Sequence, residues 1–236
     1  MTDWAAKRFW KNATVAQVDG GFTVLLDGRG VKTPAKTTLV VPTEDMAVAI
    51  AAEWDAQAEK IDPMTMPVTR GANAALDKVT IQKAEVAAML SAYGDSDLLC
   101  YRATDPAALV ARQAAAWDPL IAWSADTLQA PLAVHQGVMH VRQHQATLDR
   151  FDKLVADLDV FQLAAFHDLV ALSGSLVLAL AVIHGRLTAA EAWTLSRIDE
   201  DWQIEQWGED DEAQATLAVK RDAFFAADRF YKMAMT

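Results

Sequence analysis

Residues 14–30 read TVAQVDGGFTVLLDGRG, and this stretch decides the fold of the N-terminal part of the chain. Two short apolar runs are separated by Gly20-Gly21, and the second run ends at Asp27-Gly28. Glycine adopts the positive φ angles that tight hairpin turns require, so both dipeptides are typical of turns between antiparallel strands. A further apolar run at residues 39–41 stops at a proline. The pattern predicts a small antiparallel meander.

A helix is predicted immediately after the meander, over residues 43–60. Thr43 is a suitable N-cap, and the two acids that follow it lie where the helix dipole favours negative charge. An apolar stripe at four-residue spacing consists of Met46, Ile50 and Trp54. A small sheet needs a second layer to pack against, so this helix is expected to cover one face of the meander.

The rest of the chain is helical in pattern, because alanine is abundant and the breaks are short. Pro63 and Pro67 bracket a segment that is expected to be an extended linker. The last three helices are expected over residues 159–184, 188–207 and from 210 onward. A short strand at residues 98–102 could interrupt the helices and return to the sheet. The predicted fold class is an α+β domain over residues 1–67, with a small antiparallel sheet packed by one helix, and an all-α helical domain over residues 68–236. The chain is expected to be mostly helical.

Composition limits the kinds of partner that the chain can take. Of its 236 residues, 53% are hydrophobic, which is enough to build a core. The chain holds 32 acidic against 21 basic residues, a formal charge of −11. Such a field repels phosphate backbones and anionic lipids, so neither nucleic acid nor a membrane surface is expected as a partner. A basic protein is the better expectation, and some of the eight tryptophans are expected at domain seams or on a binding surface.

Cysteine usage and the N-terminus predict a cytoplasmic protein. The one cysteine, Cys100, has no internal partner for a disulfide, which suits a reducing compartment. Residues 1–11 contain neither a secretory hydrophobic region nor a transit peptide rich in arginine and serine. The longest apolar stretch, residues 169–183, is short for a bilayer span and is interrupted by two serines and a glycine. A buried core helix and no membrane insertion are therefore expected.

The motifs that superficially suggest catalytic or cofactor sites fail on spacing. Residues 28–33 (GRGVKT) place valine where a phosphate-binding loop needs glycine, and a proline follows where its helix would begin. His135, His140 and His144 lie close in sequence, but neither an HExxH pattern nor a cysteine pair accompanies them. Hence no catalytic residue, cofactor or metal site is predicted. A small hydrolase or metal enzyme that uses His135, His140 or paired carboxylates stays open as the alternative from another functional class.

The most informative part of the chain is the acidic segment, residues 199–212, which holds eight acids and no Lys or Arg. On a helix Asp201 and Glu205 would be four residues apart, and like charges at that spacing slightly destabilise their own helix. Trp202 and Trp207 lie between the acids. Two interpretations stay open: a solvated acidic face, or an electronegative surface with aromatic anchors for a basic partner.

Four segments in collinear order carry a family resemblance. They are residues 7–11 (KRFWK) with the Gly20-Gly21 turn, residues 26–34, residues 53–67, and residues 197–208 (RIDEDWQIEQWG). Together they resemble the assembly chaperones of the F-type ATP synthase, specifically the family that binds the alpha subunit of the catalytic sector. The resemblance implies an ATP-independent protein without enzyme activity. It also implies that the protein holds newly made alpha subunits and shields the surfaces that later contact beta subunits, until the hexamer forms.

The resemblance further implies that an acidic residue in the C-terminal helical region matters for function. By position, the candidates are Glu200, Glu205 and Asp211. Together with the two aromatics and the next acid, the candidate partner-binding residues are Glu200, Trp202, Glu205, Trp207, Asp211 and Glu212. The lack of a transit peptide suits a bacterial homologue that acts in the cytoplasm, and a monomer is expected. A general holdase without a fixed client is the remaining alternative.

Overall fold

The structure, a computed structural model, describes residues 7–235, and the chain divides into two compact units. The first unit comprises the chain up to Lys83 together with Val160–Ala165 and the residues from Arg229 onward, and the second comprises Ala84–Asp159 and Phe166–Asp228. The sequence predicts a division at residue 67, which lies inside the first unit. That unit also includes segments from the second half of the chain, which no pattern along the sequence indicates. Residues 1–6, where no leader was expected, lie outside the described residues.

The first unit contains the meander. Strands β1 (Ala13–Val18), β2 (Gly21–Leu26) and β3 (Arg29–Gly30) form an antiparallel sheet in the order β1-β2-β3. Residues 39–41 add one isolated bridge to the described sheet, in which the Val41 and Phe22 backbones exchange hydrogen bonds of 2.8 and 2.9 Å. Gly21 is required there, because a Cβ would lie 2.2 Å from the Val41 carbonyl oxygen. The predicted fold class, an α+β N-terminal part followed by helices, is confirmed.

Helix α1 (Glu44–Asp55) packs on β1 and β2, as the apolar stripe predicts. The Thr43 side chain accepts a hydrogen bond from the Met46 amide at 3.3 Å, which confirms the predicted N-cap. Met46 and Ile50 are fully buried, whereas Trp54 is half-buried. The helix ends five residues earlier than predicted, before Ala56.

The predicted extended linker is wrong between the two prolines. Residues Pro63–Thr65 form a single 3-10 turn, and the Asp62 side chain caps it by accepting from the Met64 amide at 2.9 Å. Helix α2 (Pro67–Ala74) starts directly after it and continues into a π-helical turn, Ala75–Val79. The Glu53 carboxylate accepts from the first free amides of α2, Val68 at 2.7 Å and Thr69 at 2.8 Å. An acid on α1 therefore fixes where α2 begins.

The remaining elements are mostly helices. In chain order they are α3 (Lys83–Ser91), the 3-10 turns Ala92–Ser96 and Leu98–Cys100, β4 (Tyr101–Arg102), α4 (Ala107–Asp126), β5 (His135–Gln136), α5 (Gln145–Ala156), α6 (Val160–Ser173), α7 (Leu176–Ile183), α8 (Ala189–Leu195), α9 (Ile198–Trp207) and α10 (Asp211–Met235). The strand at residues 98–102 does not return to the meander: it is two residues long and pairs in parallel with β5.

Two of the predicted long helices are each broken once. The first breaks at Gly174, whose φ of +69° is left-handed, and Ser175 then caps α7 by accepting from the Leu178 amide at 3.0 Å. The second breaks at residues 196–197, between α8 and α9. Thr188 and Glu191 form a capping box at the start of α8.

Helix α7 is the centre of the apolar stretch, and its residues 176–182 are all buried. This confirms the prediction of a buried core helix. None of the helices in residues 7–235 combines the length and the apolar character needed to cross a bilayer.

Candidate functional site

The acidic segment extends over two helices and the turn between them. Its first acids lie on α9, which ends at Gly208 with a φ of +91°. Asp210 then caps α10, since its carboxylate accepts from the Ala213 amide at 2.8 Å. Asp211 and Glu212 occupy the first turn of α10, where the helix dipole stabilises negative charge. The acids at the start of α10 therefore stabilise that helix, which offsets part of the repulsion between like charges in the segment.

Glu205 is paired with an arginine from α4. The two guanidinium nitrogens of Arg112 donate to the two carboxylate oxygens of Glu205 at 2.8 and 2.9 Å. The same guanidinium lies over the Trp202 ring, with its central carbon 5.0 Å from the ring centre. The Arg112 hydrogen bonds lower the pKa of Glu205 below its ordinary value. The Arg112 guanidinium thus contacts both Glu205 and Trp202.

Two further acids of α9 also have internal partners. Asp199 accepts a hydrogen bond of 2.6 Å from the Gln113 side chain, which is buried. Glu200 forms an ion pair with Arg197 at 2.8 Å. Asp201 is half-buried, and desolvation raises its pKa above the ordinary value for aspartic acid. These contacts hold α9 in place, and they occupy acids that the sequence offers for a partner.

The turn after α9, in contrast to α9 itself, is exposed to solvent. The Trp207 side chain is 80% exposed, and every residue from 208 to 213 is exposed. Among the residues that the structure describes, no Lys, Arg or His lies within ion-pair distance of Glu209, Asp211 or Glu212. We call Trp207 with Glu209, Asp210, Asp211 and Glu212 the exposed acidic turn.

The six candidate partner-binding residues therefore fall into two groups. Trp207, Asp211 and Glu212 are exposed and available to a partner. The residues with internal contacts are Glu200, Trp202 and Glu205. Sequence reasoning missed Arg112 and Gln113, because they lie about ninety residues before the acids that they contact and no local pattern connects them.

Only one of the two units has a net negative charge. The first unit contains 12 Lys and Arg against 10 acids, and the second contains 9 against 22. The second unit, which also carries the exposed acidic turn, thus has a net charge of −13, whereas the first unit has +2. Any field that steers a basic partner originates there.

The histidines and the cysteine that were considered for metal binding or catalysis have contacts or positions that do not support those roles. His140 lies between Asp95, 3.3 Å from its Nε2, and the Tyr101 hydroxyl, 3.1 Å from its Nδ1. His144 precedes the first residue of α5, so it shares no helix face with His140. In residues 7–235 no group of three His, Cys, Asp or Glu side chains is placed to hold a metal ion. Burial raises the pKa of the Cys100 thiol to about 12, which disfavours the reactive thiolate.

Comparison with known proteins identifies the family. A family model described as ATP12 chaperone protein matches residues 7–125, which include Arg112 and Gln113 of α4. The chain belongs to the ATP12 chaperone family. The resemblance to the assembly chaperones of the F-type ATP synthase is thereby confirmed, and the chain is a chaperone of that assembly.

The relatives match most of the length of this chain. The mitochondrial protein atp12 of Schizosaccharomyces pombe is 27% identical over 218 residues, which are 86% of this chain and 74% of that protein. The crystal structure of Atp12 from Paracoccus denitrificans is 50% identical with a TM-score of 0.95, and the match covers 98% of this chain and 100% of that one. A protein of Agrobacterium tumefaciens is 44% identical with a TM-score of 0.93, over 98% of this chain and 86% of that one.

Proposed function

We propose that this ATP12 family member binds the unassembled alpha subunit of the F-type ATP synthase and shields its intersubunit surface until the catalytic hexamer forms. Family membership supports the assembly role. The observation that carries the contact is the exposed acidic turn, in which a tryptophan that is 80% exposed lies beside acids without a cation partner among residues 7–235. An exposed aromatic and unpaired acids suit a client surface that is part apolar and part basic.

The contact must be reversible, because a beta subunit finally takes the place of the chaperone. Trp207 supplies a large apolar area that a client pocket can bury. The acids around it attract Arg and Lys of the client, and such exposed charges raise the association rate more than they lower the dissociation rate. An unassembled subunit exposes apolar surface that would otherwise aggregate, so a modest interface of this kind is sufficient to protect it.

The proposal also covers cofactors, oligomeric state, compartment and other partners. The chain acts without ATP, cofactor or catalysis, as a monomer in the cytoplasm. It contacts neither nucleic acid nor lipid, which the strongly acidic second unit supports.

The test is capture of isolated alpha and beta subunits by the purified protein. We expect binding to alpha and none to beta. Binding to neither, or equally to both, contradicts the proposal, and equal capture of an unrelated unfolded protein indicates a general holdase instead.

A variant locates the contact. Trp207→Ala should weaken alpha binding by about tenfold, since an aromatic anchor in an interface commonly contributes that much. The matched control is Phe9→Ala, which removes another aromatic side chain, 67% exposed, from the first unit. Equal effects of the two variants would show that Trp207 has no special role.

A further inference from the structure

The second unit exposes a second cluster of large apolar side chains, on the segment that contains β5. We call residues 133–143 the apolar loop. Within it, Val138 is 91% exposed and Met139 is 78% exposed. Val134 and Val141, one near each end, are also exposed. Isolated exposed hydrophobics are ordinary, but four within eight residues form a patch that is typical of an interaction site.

The apolar loop is held in shape by hydrogen bonds. The buried Gln143 side chain accepts from the Ala133 amide at 2.8 Å and donates to the Ala133 carbonyl at 2.9 Å. The Gln143 amide donates to Asp95 at 2.7 Å, and the Gly137 amide donates to the Arg102 carbonyl at 2.9 Å. The two ends of the loop are thus joined and its middle is fixed to β4. A preorganised loop loses little entropy when it binds, so its apolar side chains are presented for contact.

Charge distinguishes the apolar loop from the rest of its unit. Residues 127–148 contain no Asp or Glu, although the second unit as a whole has 22. The formal charge within this stretch comes from Arg142, and three histidines lie around it. The carboxylate that lies against the loop, Asp95, already accepts from the Gln143 amide at 2.7 Å and lies 3.3 Å from His140. A basic partner would therefore find no carboxylate on the loop itself. An apolar partner segment with acidic or neutral flanks fits it better.

A set of contacts through α4 links the apolar loop to α9, the helix that precedes the exposed acidic turn. Arg102, which anchors the loop, forms an ion pair with Asp118 of α4 at 2.8 Å. Gln113 of α4 accepts from the Ala103 amide at 2.8 Å and donates to Asp199 of α9 at 2.6 Å. All of these residues belong to the second unit. One helix therefore contacts both the strand that anchors the loop and the first turn of α9.

We propose that the apolar loop is a second client-binding surface, which takes an apolar stretch of the client polypeptide flanked by acidic or neutral residues. As a client site it rests on the proposed chaperone function. It divides the work between two surfaces of different chemistry: the exposed acidic turn takes basic client residues, and the apolar loop takes apolar ones. The two surfaces therefore differ in their response to salt, because burial of apolar side chains is not screened.

The test uses the full chain and two synthetic peptides that share one apolar core. One peptide is flanked by aspartates and the other by lysines, and binding is measured by fluorescence anisotropy. We expect the aspartate-flanked peptide to bind and the double variant Val138→Ser/Met139→Ser to weaken it by about tenfold. Both side chains project into solvent, so the variant should keep its unfolding midpoint. Ile81→Ser, at a side chain 76% exposed in the first unit, is the matched control and should bind as the unsubstituted protein does.

Three results of the peptide experiment overturn the proposal, and a different occupant of the loop also overturns it. The three results are no binding of the aspartate-flanked peptide, binding that the double variant leaves unchanged, and binding that the Ile81 control weakens equally. If sedimentation shows a dimer that Val138→Ser/Met139→Ser converts to monomer, the occupant is a second copy of the chain. If the protein binds vesicles of neutral phospholipid through the loop, the occupant is a lipid surface. Failure to capture the alpha subunit, with peptide binding intact, would count against the proposed client and not against the loop.

Discussion

Asp97 is a fully buried carboxylate that joins distant parts of the second unit. It accepts hydrogen bonds from the Leu99 amide at 3.0 Å, the Ser175 hydroxyl at 2.8 Å and the Val177 amide at 3.0 Å. Burial raises the pKa of Asp97 to about 6, because the charged form loses its hydration. In the unfolded chain the carboxyl is hydrated and has its ordinary, lower pKa. The native state therefore binds this proton more tightly than the unfolded state does.

We expect this site to stabilise the protein as the pH falls. Between the ordinary aspartate pKa and about pH 6, the native carboxyl is protonated while the unfolded one is ionised, so acidification favours the native state. Compared with Asp97→Asn, which does not titrate, the unsubstituted protein should gain roughly 2 kcal/mol in free energy of unfolding between pH 7 and pH 4.5. Urea unfolding of both proteins at the two pH values measures the gain. A difference that stays constant with pH would contradict it.

The role of a single residue could be predicted from the sequence where the side chain and the group that it bonds lie within one turn of helix. The N-caps Thr43 and Thr188 are of this kind, because each caps an amide three residues further along. Asp97 and Ser175 lie 78 residues apart, so no local pattern could connect them. The break at Gly174 was missed for the same reason: the tertiary contact of Ser175 with Asp97 stabilises the interruption of an otherwise helical apolar run.

Helix α9 depends on α4 for its position. The like-charge repulsion between Asp201 and Glu205 was correctly expected from their spacing, but the cation that offsets it comes from Arg112, 93 residues earlier. The fork geometry of a guanidinium matches a carboxylate with two parallel hydrogen bonds, which neither lysine nor glutamine reproduces. Exposed ion pairs of this kind contribute modestly to stability. Loss of the pair should therefore destabilise α9 locally and leave the free energy of unfolding of the whole protein nearly unchanged.

We expect Arg112→Gln to loosen α9 without unfolding the chain. The substitution removes both hydrogen bonds to Glu205 and the cation over Trp202. Amide hydrogen exchange within Ile198–Trp207 should quicken by about two- to fivefold, while exchange within α5 stays unchanged. Arg221→Gln is the control, because Arg221 forms an exposed pair with its sequence neighbour Asp222 at 3.6 Å. Unaltered exchange in α9 would show that Arg112 does not hold this helix.

At the scale of the whole molecule, the acidic character was evident from composition, but its distribution was not. The two units differ in net charge because the second holds 22 of the 32 acids, and the units themselves combine segments that are distant in sequence. A count along the chain could find the acidic segment, since eight of those acids lie within the fourteen residues 199–212. It could not separate acids that hold the fold from acids that face solvent, because that depends on arginines and glutamines elsewhere.

The last prediction concerns the long-range field of the exposed acidic turn. Glu209→Gln/Asp211→Asn/Glu212→Gln should lower the rate of association with the alpha subunit by about threefold to tenfold at low ionic strength. The effect should vanish at high salt, where screening removes the steering of both proteins. Stopped-flow association measured across a salt series tests this.

The matched control is Glu44→Gln/Asp45→Asn, which neutralises two exposed acids in the first turn of α1. These acids have the same relation to a helix dipole as Asp211 and Glu212 have in α10, but they lie in the less charged first unit. Any cost to helix stability should therefore be similar in the two variants, and only the first should flatten the salt dependence. If both variants keep the salt slope of the unsubstituted protein, the exposed acidic turn does not steer the client, and its acids serve only to start α10 and to keep the turn hydrated.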